Sequence, residues 1–128
     1  MKILLDTHTF IWWSSAPERL SDKGLALCQD TDNALLLSVA SVWEMQIKMQ
    51  LEKLKLDLPL KELIASQQDK NSLQVLPVEL DHVLELNNLP FHHNDPFDRL
   101  LIAQAKTEDA FLLSKDKAFS EYTVKLLW

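Results

Sequence analysis

The sequence predicts an α/β domain with a parallel, or mostly parallel, central sheet of four to five short strands and helices on both faces. Short apolar runs such as Ile3–Leu5 and Phe111–Leu113 are too short for helices and lack the polar alternation of a half-exposed sheet. These runs alternate with longer segments of helical periodicity, an order typical of βαβ units. At 128 residues the chain is long enough for one hydrophobic core, so residues 1–128 are predicted to form a single domain.

Start and stop signals place the individual elements. The predicted strands are Ile3–Leu5, Ala34–Leu37, Leu73–Leu76, Phe111–Leu113 and Thr123–Leu127. The predicted helices are Thr7–Trp13, Ser21–Asp30, Ser38–Gln50, Leu60–Lys70, Glu79–Asn87, one that opens at Asp95, and a short turn at Asp116–Ser120. The helix at Asp95 has the strongest start signal, because Asp is a good N-cap and Pro96 fits the first helical position. The alternating segment Lys53–Leu58 fits either a short exposed strand or an irregular arm before Pro59.

Composition limits the class of protein. The net charge of −6 argues against a simple basic protein that coats nucleic-acid phosphates. The single cysteine, Cys28, excludes an internal disulfide and favours a reducing, cytoplasmic location. No apolar run approaches the ~20 residues of a membrane span, and Asp6 interrupts the apolar start in a way that does not fit a signal peptide.

Acidic residues recur where strands end or helices begin. Asp6 ends the first strand, Asp116 follows the fourth, and Glu44 lies early in the helix after the second strand. Asp95 and Asp98 are three positions apart, so both lie on one face of the first turn of their helix. In parallel α/β sheets, ligands bind outside the carboxyl ends of the strands, which is where these acids should meet.

Each acid also has a purely structural interpretation. Asp6, Asp95 and Asp116 could each cap a helix, and Ser41 with Glu44 fits a capping box. Asp98 shares a face with Leu101 and Ile102, which favours an orientation toward the interior. The structural interpretation therefore stays open for each acid taken alone, while their predicted convergence favours a common site.

Carboxylates brought that close would repel one another unless a cation neutralised them. Oxygen ligands of this kind favour Mg²⁺ or Mn²⁺. A zinc site is not expected, because His92 and His93 are adjacent while His8 and His82 have no partner at ligand spacing. The acidic balance of the chain therefore does not exclude a nucleic-acid substrate that metal ions help to bind.

Four motifs in the chain resemble those of the PIN domain, specifically of VapC-type toxins of type II toxin–antitoxin pairs. They are Ile3-Leu4-Leu5-Asp6-Thr7, Ser38-x-x-Ser41-x-x-Glu44, His93-x-Asp95-Pro96-Phe97-Asp98-Arg99-x-x-Ile102-Ala103-x-Ala105 and Leu113-Ser114-x-Asp116. The third motif is the most specific of the four. The resemblance extends over the whole chain and implies a PIN-like fold.

The resemblance also implies a site and an activity. The implied catalytic and metal-binding acids are Asp6, Glu44, Asp98 and Asp116, with Asp95 as an accessory acid, and Thr7 and Ser114 would orient the carboxylates. The implied protein is an endoribonuclease that uses Mg²⁺ or Mn²⁺ to hydrolyse RNA phosphodiester bonds. Its implied partners are RNA, a second copy in a homodimer, and a cognate antitoxin whose tail blocks the site.

Other side chains are candidates for substrate contacts. Arg99 and Lys115 could contact phosphates, or could simply be solvated charges. Trp12, Trp13 and Trp43 could stack on bases or on an antitoxin helix, although burial in the core or a dimer interface explains them equally well.

Several alternatives fit part of the sequence. A phosphatase of the haloacid dehalogenase type also begins with a strand-end Asp, but it requires a second Asp where this chain has His8. A phosphoacceptor receiver domain has a suitable length, yet it leaves Glu44 and the Asp95–Asp98 pair without a role. Closer alternatives are a PIN nuclease in RNA processing without a toxin role, and a catalytically silent PIN-like binding module.

Overall fold

A computed structural model describes residues 1–128, with a five-stranded sheet at its centre. The strands are β1 (Lys2–Leu5), β2 (Ala34–Ser38), β3 (Gln74–Leu76), β4 (Phe111–Leu113) and β5 (Leu126–Leu127). They lie in the order β3-β2-β1-β4-β5, and every neighbouring pair is parallel. The predicted parallel α/β sheet is thus confirmed. The first strand is central, with Ile3 in register with Leu35 on one side and Phe111 on the other.

Six helices connect the strands. They are α1 (Thr7–Ser15), α2 (Asp22–Gln29), α3 (Val39–Gln50), α4 (Leu60–Asn71), α5 (Leu80–Glu85) and α6 (Pro96–Thr107). Short 3₁₀ turns cover Pro17–Arg19, Leu86–Asn88 and Lys117–Glu121. The N-cap predicted at Asp95 is present, and Ser21 and Ser38 likewise each accept a hydrogen bond from a backbone N–H of the helix that follows. No helix combines the length and the apolar character that crossing a bilayer requires.

The sheet separates two hydrophobic cores, as expected for strands buried on both faces. Alternate residues of β1 point to opposite sides: Ile3 and Leu5 pack with Phe10 and Met45 of α1 and α3, while Leu4 packs against α6. Cys28 belongs to the first core, where burial raises the pKa of its thiol to about 11. Packing in these two cores places α1 and α3 on one side of the sheet and α6 on the other, around the carboxyl end of β1.

Of the two alternatives left open for Lys53–Leu58, the irregular arm is the one that forms, and its alternation arises because Leu54 and Leu56 pack on the first core without a strand partner. Two other predicted segments differ from the structure for identifiable reasons. The helix predicted for Glu79–Asn87 ends earlier, because the chain tightens into a 3₁₀ turn at Leu86. The last strand is shorter than Thr123–Leu127 because its only neighbour, β4, has three residues.

A buried histidine joins α5 to α6. His82 is 1% exposed, and its Nδ1 accepts a hydrogen bond of 3.0 Å from the backbone N–H of Glu79. Because that N–H can only donate, the ring hydrogen lies on Nε2, which donates to Glu108 at 2.9 Å. The Gln104 amide is 3.3 Å from the same ring. This network fixes the orientation of α6, which is capped by Asp95 and carries Asp98.

We predict that His82→Ala lowers the free energy of unfolding by about 2 to 4 kcal/mol, since it leaves a cavity and buried polar groups without partners. Urea denaturation measures the change. The control is Val83→Ala at the neighbouring, 47% exposed position, which should shift stability by less than ~0.5 kcal/mol. Equal effects of the two substitutions would contradict the structural role given to His82.

Candidate metal centre

Five carboxylates line one cleft at the carboxyl edge of the sheet. The cleft has a volume of about 250 Å³ and no hydrophobic residue in its lining. Its acids are Asp6, Glu44, Asp95, Asp98 and Asp116, and its other lining residues are Thr7, His8, Lys48 and His93. The structure thus brings together all five acids that the sequence analysis singled out.

Asp6 is held in the gap between β1 and β4. One carboxylate oxygen accepts a 2.8 Å hydrogen bond from the backbone N–H of Thr9, so Asp6 caps α1. The other oxygen accepts a short hydrogen bond from the Ser114 hydroxyl. The Thr9 hydroxyl donates to the carbonyl of Leu113 at 3.0 Å, which ties the start of α1 to β4. As a result Asp6 is 6% exposed and fixed in orientation.

Glu44 reaches the cleft from the middle of α3 and is 8% exposed. Its carboxylate accepts a 2.6 Å hydrogen bond from the Thr7 hydroxyl and lies 3.1 Å from the Lys48 ammonium. The capping box considered for Ser41 and Glu44 does not form, because Ser38 is the N-cap and both residues lie inside the helix. Glu44 therefore belongs to the cleft and not to the helix terminus.

The remaining acids combine capping with a place in the cleft. Asp95 accepts hydrogen bonds from the N–H groups of Phe97 and Asp98, and Asp116 accepts one from Ala118. The Ser114 hydroxyl oxygen accepts from the N–H of Asp116 at 3.0 Å while donating to Asp6. Capping and site membership are thus compatible, since Asp95 and Asp116 each cap through one carboxylate oxygen, which leaves the other oxygen without a capping role.

His8, Lys48 and His93 are the cleft residues to which the sequence analysis gave no role in the site. His93 Nε2 lies 2.8 Å from a carboxylate oxygen of Asp98. Potential ligand atoms of His93, Asp98 and Asp116 all lie within 4.8 Å of one another, close enough to share one ion. The available signals were the position of His93 two residues before Asp95, and the i,i+4 spacing of Glu44 and Lys48.

The negative charge of the cleft is only partly compensated by Lys48 and His93. Burial raises the pKa of Asp98 to about 6; the hydrogen bond from His93 opposes this rise, and the carboxylates of Asp95 and Glu44 add to it. A cation in the cleft would favour the ionised form of Asp98. A ligand set of carboxylate oxygens and one imidazole nitrogen fits a hard divalent ion.

The two predicted phosphate contacts differ. Arg99 is 7% exposed, and its guanidinium donates to the carbonyls of Pro90, Leu86 and Leu89. It therefore braces the loop before α6 and is not placed to contact RNA. Lys115, in contrast, is exposed beside Asp116 at the edge of the cleft.

The three tryptophans also differ in their surroundings. Trp13 is 8% exposed within the first core, so it is a packing residue. Trp43 is 63% exposed and meets Phe97 edge-on. Trp12 is half-buried and lines a hollow together with Asp6 and Lys115.

A parallel α/β sheet with a cleft of acids at its carboxyl edge defines a class of proteins with a candidate divalent-cation centre. The family comparison makes the class specific: the model of the PIN domain family matches residues 3–125, and the chain belongs to that family.

Individual relatives agree with this assignment. The chain is 29% identical over 116 residues to the ribonuclease VapC22 of Mycobacterium tuberculosis, covering 90% of this chain and 87% of that protein. Its fold is similar to a chain in the DNA-bound VapBC2 structure from Rickettsia felis, with a TM-score of 0.71, 17% identity and coverage of 99% and 98% of the two chains. A DNA-bound VapBC structure from Salmonella typhimurium gives a TM-score of 0.69 at 15% identity, with coverage of 99% and 97%.

We predict that Asp98→Asn stabilises the metal-free protein at pH 7 by roughly 1 to 2 kcal/mol, because it removes a charge that burial disfavours. The raised pKa sets the pH dependence: the protonated wild type has full stability below its unfolded pKa near 4 and loses part of it as pH rises through about 6. The advantage of the variant should therefore grow from about pH 4 to pH 6 and then level off.

Thermal melts with and without Mg²⁺ measure both effects. Added Mg²⁺ should raise the Tm of the wild type and raise that of Asp98→Asn much less. Asp69→Asn, an exposed change on α4, is the control and should follow the wild type. An Asp98→Asn variant that is no more stable than the wild type at pH 7 would contradict the proposed charge imbalance.

Proposed function

We propose that this protein is a metal-dependent endoribonuclease that hydrolyses RNA phosphodiester bonds and acts as the toxin of a toxin–antitoxin pair. The observation that carries this proposal is the convergence of five carboxylates in one polar cleft of a PIN-domain chain. The name of the similar ribonuclease VapC22 supports RNA as the substrate.

The residues of the cleft fit Mg²⁺ or Mn²⁺. Asp6, Glu44, Asp98 and Asp116 are the proposed metal-binding acids, with Asp95 as an accessory. His93 lies close enough to Asp98 and Asp116 to join them, and a nitrogen donor in that place would make Mn²⁺ a better fit than it is for an all-oxygen site. Ordered hydroxyl and amide donors already hold Asp6 and Glu44 in place, and each bonded carboxylate oxygen keeps a further lone pair for an ion.

The catalytic roles follow from this arrangement. When bound, the ion supplies positive charge for the scissile phosphate and lowers the pKa of a water molecule. Thr7 holds Glu44 and Ser114 holds Asp6, so each carboxylate keeps its orientation as substrate enters. Attack of water on phosphorus in line with the P–O3′ bond breaks that bond and yields a 3′-hydroxyl and a 5′-phosphate.

The partner assignments extend the same proposal. The similar structures from R. felis and S. typhimurium are described as VapBC bound to DNA, and other similar structures are toxin–antitoxin complexes. We infer that this chain likewise binds a cognate antitoxin protein that covers the cleft, and that it assembles as a homodimer.

We predict that Asp6→Asn reduces Mg²⁺-dependent RNA cleavage by at least ~100-fold, since it removes a carboxylate that the site requires. The assay measures fragment formation from single-stranded RNA, with circular dichroism to establish that the variant is folded. The exposed Asp69→Asn change should leave the rate unchanged. Wild-type activity in a folded Asp6→Asn protein, with contaminating nuclease excluded, would overturn the metal-site assignment.

A toxin role has a separate test in cells. Induced expression of the wild type should arrest growth and produce RNA fragments, and co-expression of the small protein encoded next to it should restore growth. Asp6→Asn should not arrest growth. RNA cleavage in vitro without growth arrest would instead favour a PIN nuclease in RNA processing.

A further inference from the structure

We propose that a basic groove beside the acidic cleft binds the single-stranded RNA substrate and guides it to the site of cleavage. This inference rests on the proposed ribonuclease function. The basic groove lies between α1, the Pro17–Arg19 turn, the end of α3 and the arm at residues 53–55. Its charged and aromatic lining residues are His8, Trp12, Arg19, Lys48, Lys53 and Lys55.

The charge of the groove is opposite to that of the chain. The groove has a volume of about 430 Å³ and four cationic side chains, with no carboxylate in its lining. The chain as a whole carries a net charge of −6. Such a local concentration of cations attracts a polyanion even where the overall charge repels it.

The groove leads directly into the acidic cleft. His8 and Lys48 line both the groove and the cleft. Lys48 also pairs with Glu44 at 3.1 Å, so a phosphate bound there lies next to a proposed metal-binding acid. Because five carboxylates repel an approaching phosphate chain, the neighbouring cations supply the attraction that the cleft alone lacks.

Trp12 provides a surface on which a base can stack. The Arg19 guanidinium lies 4.8 Å from the centre of the Trp12 ring, and the His8 ring lies 5.9 Å away. Trp12 also lines a second hollow of about 300 Å³ together with Lys115, whose ammonium is 5.9 Å from the ring centre. A stacked base flanked by cations is a common way to bind single-stranded nucleic acid without sequence preference.

The composition of the groove favours RNA over a protein as its occupant. Four of its ten lining residues are hydrophobic, namely Ile11, Trp12, Ala16 and Leu54. A partner helix would require a broader apolar face, whereas phosphates and bases need the cations and the aromatic ring present here. Protein binding to the groove is therefore an alternative that the experiment must separate.

The experiment reverses charge in the groove and at a distant surface. Lys53→Glu/Lys55→Glu changes the arm, and Lys61→Glu/Lys70→Glu makes the same change of net charge on exposed positions of α4. Binding of a fluorescein-labelled 12-nucleotide oligouridylate is measured by anisotropy at several KCl concentrations, with Ca²⁺ in place of Mg²⁺ to prevent turnover. The groove pair should weaken binding by about 10-fold or more and reduce the salt dependence of log Kd by about 1.4, the value for two lost phosphate contacts.

RNA cleavage in Mg²⁺ is measured separately, so that a failure of the RNA-binding proposal can be distinguished from a failure of the proposed ribonuclease function. The groove pair should raise KM while kcat stays within about threefold of wild type, because the acids are untouched. Equal weakening of RNA binding by the two double variants would overturn the proposed role of the groove. If the groove pair left RNA binding unchanged but weakened binding of the purified antitoxin, that result would overturn it as well. A wild type that binds oligouridylate through the groove but cleaves no RNA would instead overturn the proposed function.

Discussion

The site depends on the hydrogen bonds that hold its carboxylates against their mutual repulsion. The Ser114 hydroxyl is central, because it donates to Asp6 and accepts from the backbone N–H of Asp116. It links the acid at the end of β1 to the acid that follows β4. The Thr7 hydroxyl donates a hydrogen bond to Glu44 and so links α1 to α3. Two small hydroxyl side chains thus fix acids that come from distant parts of the chain.

The parallel sheet explains why these residues can meet. Since β1 is central and its neighbours run in the same direction, the chain leaves β1, β2 and β4 at one edge. Helix N-termini cluster at that edge, and their amide groups point toward Asp6, Asp95 and Asp116. The partial positive charge of these termini offsets part of the negative charge of the cleft. The fold therefore supplies both the geometry and some of the electrostatic compensation.

The sequence was most informative where one residue had one strong local role. The strand at Ile3–Leu5 and the cap at Asp95 depend on burial pattern and local hydrogen bonding, and both could be predicted. The acids of the cleft could be predicted because strand ends converge in a parallel sheet. Arg99 could not be distinguished from a surface charge, since its carbonyl partners lie in a loop whose path no periodicity encodes.

Contacts between distant segments could not be predicted from the sequence for a similar reason. The arm at Lys53–Leu58 alternates like a strand, but whether a strand forms depends on a free sheet edge near it. His93 begins the third motif, but its distance from Asp116 is set by the packing of the loop before α6 against Tyr122. Such contacts are properties of the assembled molecule.

Arg99 gives this loop an internal brace. Its guanidinium bonds three loop carbonyls and the Tyr122 hydroxyl, which in turn accepts a hydrogen bond from the backbone N–H of His93. His93, whose Nε2 lies 2.8 Å from Asp98, is thus positioned through Arg99, a buried side chain that does not line the cleft itself. A lysine has the same charge but a single donor point, so it cannot span these acceptors. The planar shape of the Arg99 guanidinium, more than its charge, therefore determines the position of the His93 imidazole beside Asp98.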